Sequence, residues 1–203
     1  MWALIEDGSI TKLINNPKAM VIGDIQYSRN IFSFRWSNEE REAIGLYEIV
    51  FDNTNKKDEA YYTNTNQSFA FAGGVVTASY GSATTKPHAD TLFTAQDEID
   101  GKGTEGEVAV EGLKTVRIRT VKQQAAGELQ NTDWYVVRKA DAGTAVPSAI
   151  TTHRAAVRTK CAEMETAITN AADTPALETL YTYTRQEDDS VTRPLGELPR
   201  LES

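Results

Sequence analysis

The sequence predicts an α+β protein in which a small antiparallel β module is followed by an acidic linker and a C-terminal helical module. Three observations predict this class. Short apolar runs broken by turn residues fill the first part of the chain, acidic residues and glycines fill the middle, and apolar residues at helical spacing fill the last part. We place the modules at residues 1–86 (a mainly β docking module), 87–107 (the linker) and 108–203 (the helical module).

Two hairpins define the β module. Asp7-Gly8 separates two short apolar runs and is a strong hairpin dipeptide. Gly73-Gly74 separates a Phe-rich run from Val75–Tyr80 in the same way. Between them, Ser37 and Glu40 have the spacing of a capping box, which predicts a short helix that Gly45 ends.

The middle segment has one basic residue, Lys102, against six acids. Its glycines at 101, 103 and 106 match a dinucleotide-binding spacing, but no β run precedes them and the acidic neighbours would repel a pyrophosphate. Asp97–Asp100 could bind calcium weakly but lacks the alternating ligands of a calcium loop. We interpret residues 87–107 as a linker or an exposed acidic loop.

Three helices are expected in the last module. The first spans 113–129, and the second begins at Pro147. Thr174 caps the third, with Pro175 at its first position. Residues 185–203 are predicted to be extended, and either to lean on a neighbouring element or to stay loose. The second helix carries an apolar stripe with intervals of three or four residues, which comprises Ile150, His153, Val157, Cys161, Met164, Ile168 and Ala171.

Composition limits the classes of partner. The net charge of −8, from 21 basic and 29 acidic residues, argues against duplex DNA or an anionic membrane as the main partner. The single Cys161 precludes an intrachain disulfide and makes a thiolate zinc site implausible. No apolar run approaches the roughly 18–20 residues of a membrane span, and we expect no signal peptide and synthesis in the cytoplasm.

Candidate catalytic groups are few. His153 lies on the apolar stripe, where a structural histidine is the commoner case, and His88 is expected to be exposed. Cys161 shares the stripe and is expected to be a small core residue. We therefore predict no catalytic residue, no metal ligand and no cofactor, and thus no enzyme.

A basic face on the first helix has two interpretations. Lys114, Arg117, Arg119 and Lys122 either form a solvated surface or bind an acidic partner.

The segment Leu129–Lys139 joins two helical patterns and holds Trp134 and Tyr135 between charges. We interpret it as a packed joint. Arg154 and Arg158 lie on one helix face beside the apolar stripe, and we expect Asp133 to pair with them and to hold the joint against the long helix.

The joint also carries a family resemblance. Thr132-Asp133-Trp134-Tyr135-Val136-Val137-Arg138-Lys139, then Val146-Pro147, then Arg154 and Arg158, resemble the tail assembly chaperone family of tailed bacteriophages. His153 stands where that family usually has Tyr. The resemblance covers about 50 residues, a quarter of the chain. The first half, with motifs such as Trp36-Ser37 and Ile44-Gly45-Leu46-Tyr47, is similar to a small β module of phage tail proteins.

The resemblance implies a non-enzymatic structural component of a phage particle, located at the tail or tail fibres and bound to other tail or fibre proteins. The alternative is a chaperone that assists fibre assembly and then leaves. Host-receptor binding by the β module is compatible with the first, whereas an envelope-degrading enzyme would need paired carboxylates in a cleft. A homo-oligomer is expected, because tail parts surround an axis. The residues expected to supply packing or interface energy are Trp2, Trp36, Trp134, Tyr135, Ile150, Val157 and Met164.

Overall fold

The computed structural model describes residues 1–201 and confirms the α+β class. The chain divides into two compact units, Met1–Thr84 and Thr85–Ser203. The first is rich in strands and the second in helices, as the sequence predicts. The division follows residue 84, and residues 87–107 belong to the second unit.

The first unit is built around a five-stranded sheet of order β2-β1-β5-β8-β7. Shorter strands form the pairs β3-β4 and β6-β9. The strands are β1 (Trp2–Glu6), β2 (Ser9–Ile14), β3 (Met20–Ile22), β4 (Ile25–Tyr27), β5 (Leu46–Asp52), β6 (Tyr62–Thr63), β7 (Gln67–Ala72), β8 (Val75–Tyr80) and β9 (Thr84–Thr85).

The sheet is mixed, which corrects the expectation of a purely antiparallel module. β5 and β8 run parallel, with Ile49 opposite Val76, whereas the other neighbours are antiparallel. Both predicted hairpins are confirmed. Asp7 and Gly8 connect β1 to β2 with positive φ angles of 50° and 75°, as a two-residue hairpin turn requires.

The core of the first unit consists of two apolar clusters. Ala3, Ile49, Val76 and Ala78 form one, and residues from all five strands of the sheet contribute to it or pack against it. The other comprises Ile14, Ile31 and Leu46, against which Trp2 and Trp36 pack.

A short helix, α1 (Asn38–Glu42), has the predicted capping box. Ser37 Oγ accepts from the Glu40 amide, and the Glu40 carboxylate accepts from the Ser37 amide. Its Arg41 is buried, donates to the carbonyl oxygen of Ile31 at 2.8 Å and lies over the Trp2 ring at 4.9 Å. Arg41 therefore attaches α1 to the strand that begins the chain.

Among its described residues, the second unit contains five helices and two small pairs of antiparallel strands. The elements are β10 (Thr91–Leu92), α2 (Ala95–Ile99), β11 (Val108–Val110), α3 (Leu113–Gln130), α4 (Asp133–Ala142), α5 (Ser148–Asn170), α6 (Thr174–Tyr181), β12 (Thr184–Arg185) and β13 (Val191–Thr192). Helices α3 and α5 pack against each other and run antiparallel, since Lys114 contacts Thr169 and Lys122 contacts Glu165. The predicted stripe of α5 is buried along its whole length.

The end of the chain differs from the prediction in the residue that caps α6. Asp173, rather than Thr174, is the cap, and its carboxylate accepts from the Ala176 amide at 2.8 Å. The segment that follows is extended and leans on a neighbouring element: β12 and β13 pair, Leu195 is fully buried, and its amide donates to the Leu180 carbonyl of α6. Glu202 and Ser203, at the end of the segment predicted to be extended, lie outside the described residues.

The acidic segment 87–107 is a folded part of the second unit, not a linker. β10 pairs with β11, and α2 lies between them. The Asp90 carboxylate accepts from the Gly112 amide at 2.6 Å and from the Thr115 hydroxyl at 2.9 Å, so it caps α3. These hydrogen bonds lower the pKa of Asp90, the Gly112 bond most. The helix is capped by a residue 22 positions earlier, which no local motif reveals.

Within residues 1–201, no helix combines the length and the apolar character that crossing a membrane requires.

Candidate interaction site at a helix corner

The corner between α3 and α4 is the place where the structure assembles most of the residues of the predicted joint. Only Asn131 and Thr132 separate the two helices. Thr132 is buried, and both its amide and its hydroxyl donate to the Leu129 carbonyl, at 3.0 and 2.9 Å. The Tyr135 amide donates to the Thr132 carbonyl at 3.2 Å. Thr132 therefore provides hydrogen bonds to a carbonyl group at the end of α3 and to an amide group at the start of α4.

Arg154 of α5 holds this corner. Its Nη1 donates to the Leu129 carbonyl at 2.8 Å and to the Thr132 hydroxyl at 2.7 Å, and its Nη2 lies 2.8 Å from Asp133 Oδ1. The Arg154 side chain is only 10% exposed, whereas that of Asp133 is 56% exposed. The hydrogen bonds to the buried corner therefore matter more than the ion pair, because exposed ion pairs contribute little.

The joint ion pair has one arginine, not two. Arg158 lies one turn further along α5, is exposed, and is not a partner of Asp133. The sequence spacing placed both arginines on one side of α5, but the corner lies beside Arg154 alone.

The segment predicted as a packed joint is itself a ten-residue helix. None of the residues of α4 is buried. Trp134 is 50% exposed and Val137 is 64% exposed, and Val136 is exposed as well. Gly143, with a φ of 67°, ends the helix and its amide donates to the Lys139 carbonyl. Because helices this short are marginal alone, α4 depends on its attachment at the corner.

An aromatic and cationic cluster orders the exposed side of α4. The rings of Trp134 and Tyr135 lie with centroids 3.8 Å apart, and the Arg138 guanidinium lies 4.6 Å from the first centroid and 5.4 Å from the second. Contacts of this kind between a cation and aromatic faces are attractive. We call Trp134, Tyr135, Val136, Val137 and Arg138 the α4 surface. It combines three exposed apolar residues, Trp134, Val136 and Val137, with the half-buried Tyr135 and Arg138.

The other predicted anchors are buried or half-buried and pack within the two units. Ile150, Val157 and Met164 are buried on α5. Trp2 packs edge to face against Phe32, and Trp36 does so against Tyr27. These five residues pack within the fold, whereas Trp134 and Tyr135 lie on the α4 surface.

The basic face of α3 is engaged within the chain. The Lys114 ammonium donates to the Thr169 carbonyl, Arg117 lies over the Tyr181 ring, Arg119 pairs with Glu111 and Lys122 pairs with Glu165. Arg119 and Lys122 are also exposed, which agrees with a solvated surface, and binding of an acidic partner stays a prediction.

The glycine-containing acidic segment is explained by its turns and packing. Lys102 pairs with Asp97 and Asp100, and a side chain at position 103 would collide with the Phe93 ring. Hydrogen bonds from the Thr94 amide and hydroxyl, followed by Lys102, lower the pKa of Asp97 to about 2. Among residues 1–201, no group of three or more His, Cys, Asp or Glu side chains is placed to hold a metal ion.

The histidines and the cysteine of the sequence occupy packed positions. His88 is half-buried and shares a 2.9 Å hydrogen bond with the Ala171 carbonyl, which corrects its expected exposure. His153 and Cys161 are buried on the α5 stripe. Burial, followed by a hydrogen bond to Glu165, raises the pKa of the Cys161 thiol. The thiol therefore ionises less readily than an ordinary cysteine thiol.

Some exposed apolar residues were not predicted. Val136 and Val137 lie on the α4 surface, and Phe34 is 94% exposed in the first unit. The exposure of the valines could be recognised from the sequence, because the apolar residues of this helical segment form no single stripe. A helix of this kind cannot bury all of its apolar residues within its own fold. Phe34 has no comparable signal, because it stands between the packed residues Phe32 and Trp36 in sequence.

In comparisons with known proteins, no protein-family model, no curated protein and no solved structure matches the chain.

Proposed function

We propose that this chain is a non-enzymatic structural component of a tailed bacteriophage particle, attached at the tail or tail fibres through protein–protein contacts. The α4 surface is the observation that carries the proposal. It exposes a tryptophan and two valines on a helix whose base is fixed by Arg154. Rigid aromatic and arginine side chains of this kind are enriched at protein interfaces.

The same residues carry the resemblance to the phage family. Thr132, Asp133 and Arg154 form the corner, and the exposed Trp134 follows directly. The motif therefore combines a structural part, which sets the angle of α4, with a contact part, which is free to meet a neighbour. This division of roles suits a protein that assembles with other tail proteins and with copies of itself.

Location in the virion is tested by quantitative mass spectrometry of purified particles from the phage that encodes this chain. We expect a fixed, low ratio of this chain to the major capsid protein through successive gradient purifications. Absence from particles combined with abundance in infected cells would overturn the structural role and support the transient chaperone.

Attachment through α4 is tested in the same particles with a variant phage. Trp134→Ser should leave the chain folded in infected cells but lower its ratio to the capsid protein. The matched control is Phe34→Ser, which removes an exposed aromatic side chain from the first unit. If both variants enter particles at the wild-type ratio, α4 is not the point of attachment.

A further inference from the structure

One face of α4 combines apolar and charged side chains in a fixed order. Residues three or four positions apart share a helix face, so Trp134, Val137, Arg138 and Asp141 lie on one side of α4. All four are at least partly exposed. The face therefore has a tryptophan towards one end, an aspartate at the other, and a valine beside an arginine in the middle.

The two charges on this face have no ionic partner within residues 1–201. The Arg138 guanidinium lies over two rings, and its Nε is buried without a hydrogen-bond acceptor. Asp133, the other acid of α4, pairs with Arg154. Asp141 makes no ion pair with the described residues. No acid within residues 1–201 therefore pairs with the half-buried Arg138, and the Asp141 carboxylate is exposed to another molecule.

We propose that this face of α4 forms a two-fold contact with a second copy of the chain. The inference rests on the proposed function and deepens it by naming the partner. With the symmetry axis midway between Val137 and Arg138, two antiparallel helices place each Trp134 opposite the second copy's Asp141. The long side chain of Arg138 then reaches towards that carboxylate, while the two Val137 side chains meet near the axis.

Charge complementarity selects a second copy as the occupant. In the antiparallel arrangement, each copy supplies a cation to the acidic end of the other and an anion to its basic middle. The helix dipoles also oppose each other, which is favourable. Because a contact between two ten-residue helices is small, we expect a weak dimer that assembly with other proteins reinforces.

Reciprocal charge reversal tests this contact. Arg138→Asp alone places acids opposite acids across the axis, and Asp141→Arg alone places cations opposite cations. Each variant should sediment as a monomer at concentrations where the wild-type chain forms a dimer. An equal mixture of the two variants should restore a heterodimer, because every cation then faces an anion of the other chain.

Matched controls are Arg35→Asp and Asp24→Arg, two exposed charge reversals in the first unit. Both should dimerise like the wild type, alone and mixed. Val137→Lys gives a second variant at an exposed position, and it should abolish the dimer because each new lysine lies opposite the second copy's Arg138.

Three results would overturn the inference: a wild-type chain that stays monomeric over the full concentration series, a Val137→Lys chain that dimerises like the wild type, or single reversals that associate normally. Failure here is separable from failure of the proposed function. A monomeric chain found in particles rejects only the dimer, whereas a dimer missing from particles rejects only the structural role.

Discussion

Arg154 donates to the hydroxyl of Thr132 across 22 positions of sequence, at 2.7 Å. This bond joins the first third of α5, the longest helix of the second unit, to the corner where α4 begins. The direction in which α4 leaves the fold therefore depends on one buried guanidinium. The exposed residues that we assign to partner binding begin two positions after that corner.

Replacing Arg154 should destabilise the second unit. Arg154→Ala removes two hydrogen bonds from a buried corner, and we expect a loss of about 2–4 kcal/mol in the free energy of unfolding. Arg154→Lys should lie between this variant and the wild type, since lysine keeps the charge but not the planar fork. Urea denaturation followed by far-ultraviolet circular dichroism measures both.

The matched control for Arg154 is Arg158→Ala, one turn along the same helix and exposed. Its free energy of unfolding should stay within about 0.5 kcal/mol of the wild type. If the free energy of unfolding of Arg154→Ala also stayed within about 0.5 kcal/mol of the wild type, the corner would not depend on Arg154.

Substitutions of buried packing anchors should destabilise the fold more than substitutions of exposed surface residues. Met164 is fully buried on α5, so Met164→Ala should cost about 2–5 kcal/mol through lost contacts and a cavity. Trp134→Ala should cost less than about 1 kcal/mol, because half of the ring is exposed and its contacts lie within α4. If the two costs in urea denaturation were alike, α4 would be part of the core rather than a surface.

Part of this organisation is predictable from the sequence. The buried stripe of α5 follows from local periodicity, and the Asp7-Gly8 turn follows from the conformations that those two residues favour. Both depend on neighbours in the sequence alone.

The remainder depends on contacts between distant residues. The parallel pairing of β5 with β8 joins segments that no local motif connects. The sequence does not indicate that α4 is a helix, because Trp, Tyr and Val favour strands and because this helix has no buried apolar stripe. Asp90 looks like a linker residue in the sequence, because the Gly112 amide to which its carboxylate bonds is distant in sequence. The corner was predicted in part: Asp133 and Arg154 were identified, but Thr132, to which Arg154 donates, was not.

Gly112 should be sensitive to substitution even though its backbone angles are ordinary. A Cβ atom at this position would lie 2.2 Å from the Ala89 carbonyl carbon, beside the segment that caps α3. We expect Gly112→Ala to cost about 1–3 kcal/mol by displacing that backbone. Asp90→Ala, which removes the cap without a collision, should destabilise in the same direction. Thermal unfolding of the helical signal measures both, and Gly127→Ala, which meets open space, is the control.

Acid should weaken the second unit partly through Asp97. Its pKa of about 2 in the folded chain lies below the unfolded value near 4, so its ionised form favours folding. This contribution is complete above about pH 4 and is lost as the pH falls towards about 2. Asp97→Asn should therefore show a shallower loss of stability across this interval, measured by urea denaturation at several pH values.

Thr94→Ala provides the matched comparison for Asp97. It removes the hydroxyl bond to the carboxylate but keeps the larger contribution from the backbone amide. Its pH dependence should lie between those of the wild type and Asp97→Asn. Identical slopes for all three proteins would mean that Asp97 ionises equally in the folded and unfolded chains.

Cross-linking mass spectrometry of purified phage particles tests the central claim most directly, since one measurement reports both presence and contact. Lys139 lies on α4, whereas Lys12 lies on β2 of the first unit. We predict that peptides of this chain are present in particles and that Lys139 forms links to a second copy or to another tail protein more often than Lys12. Particles that lack these peptides, or that contain the chain with Lys139 linked only within its own copy, would contradict the account.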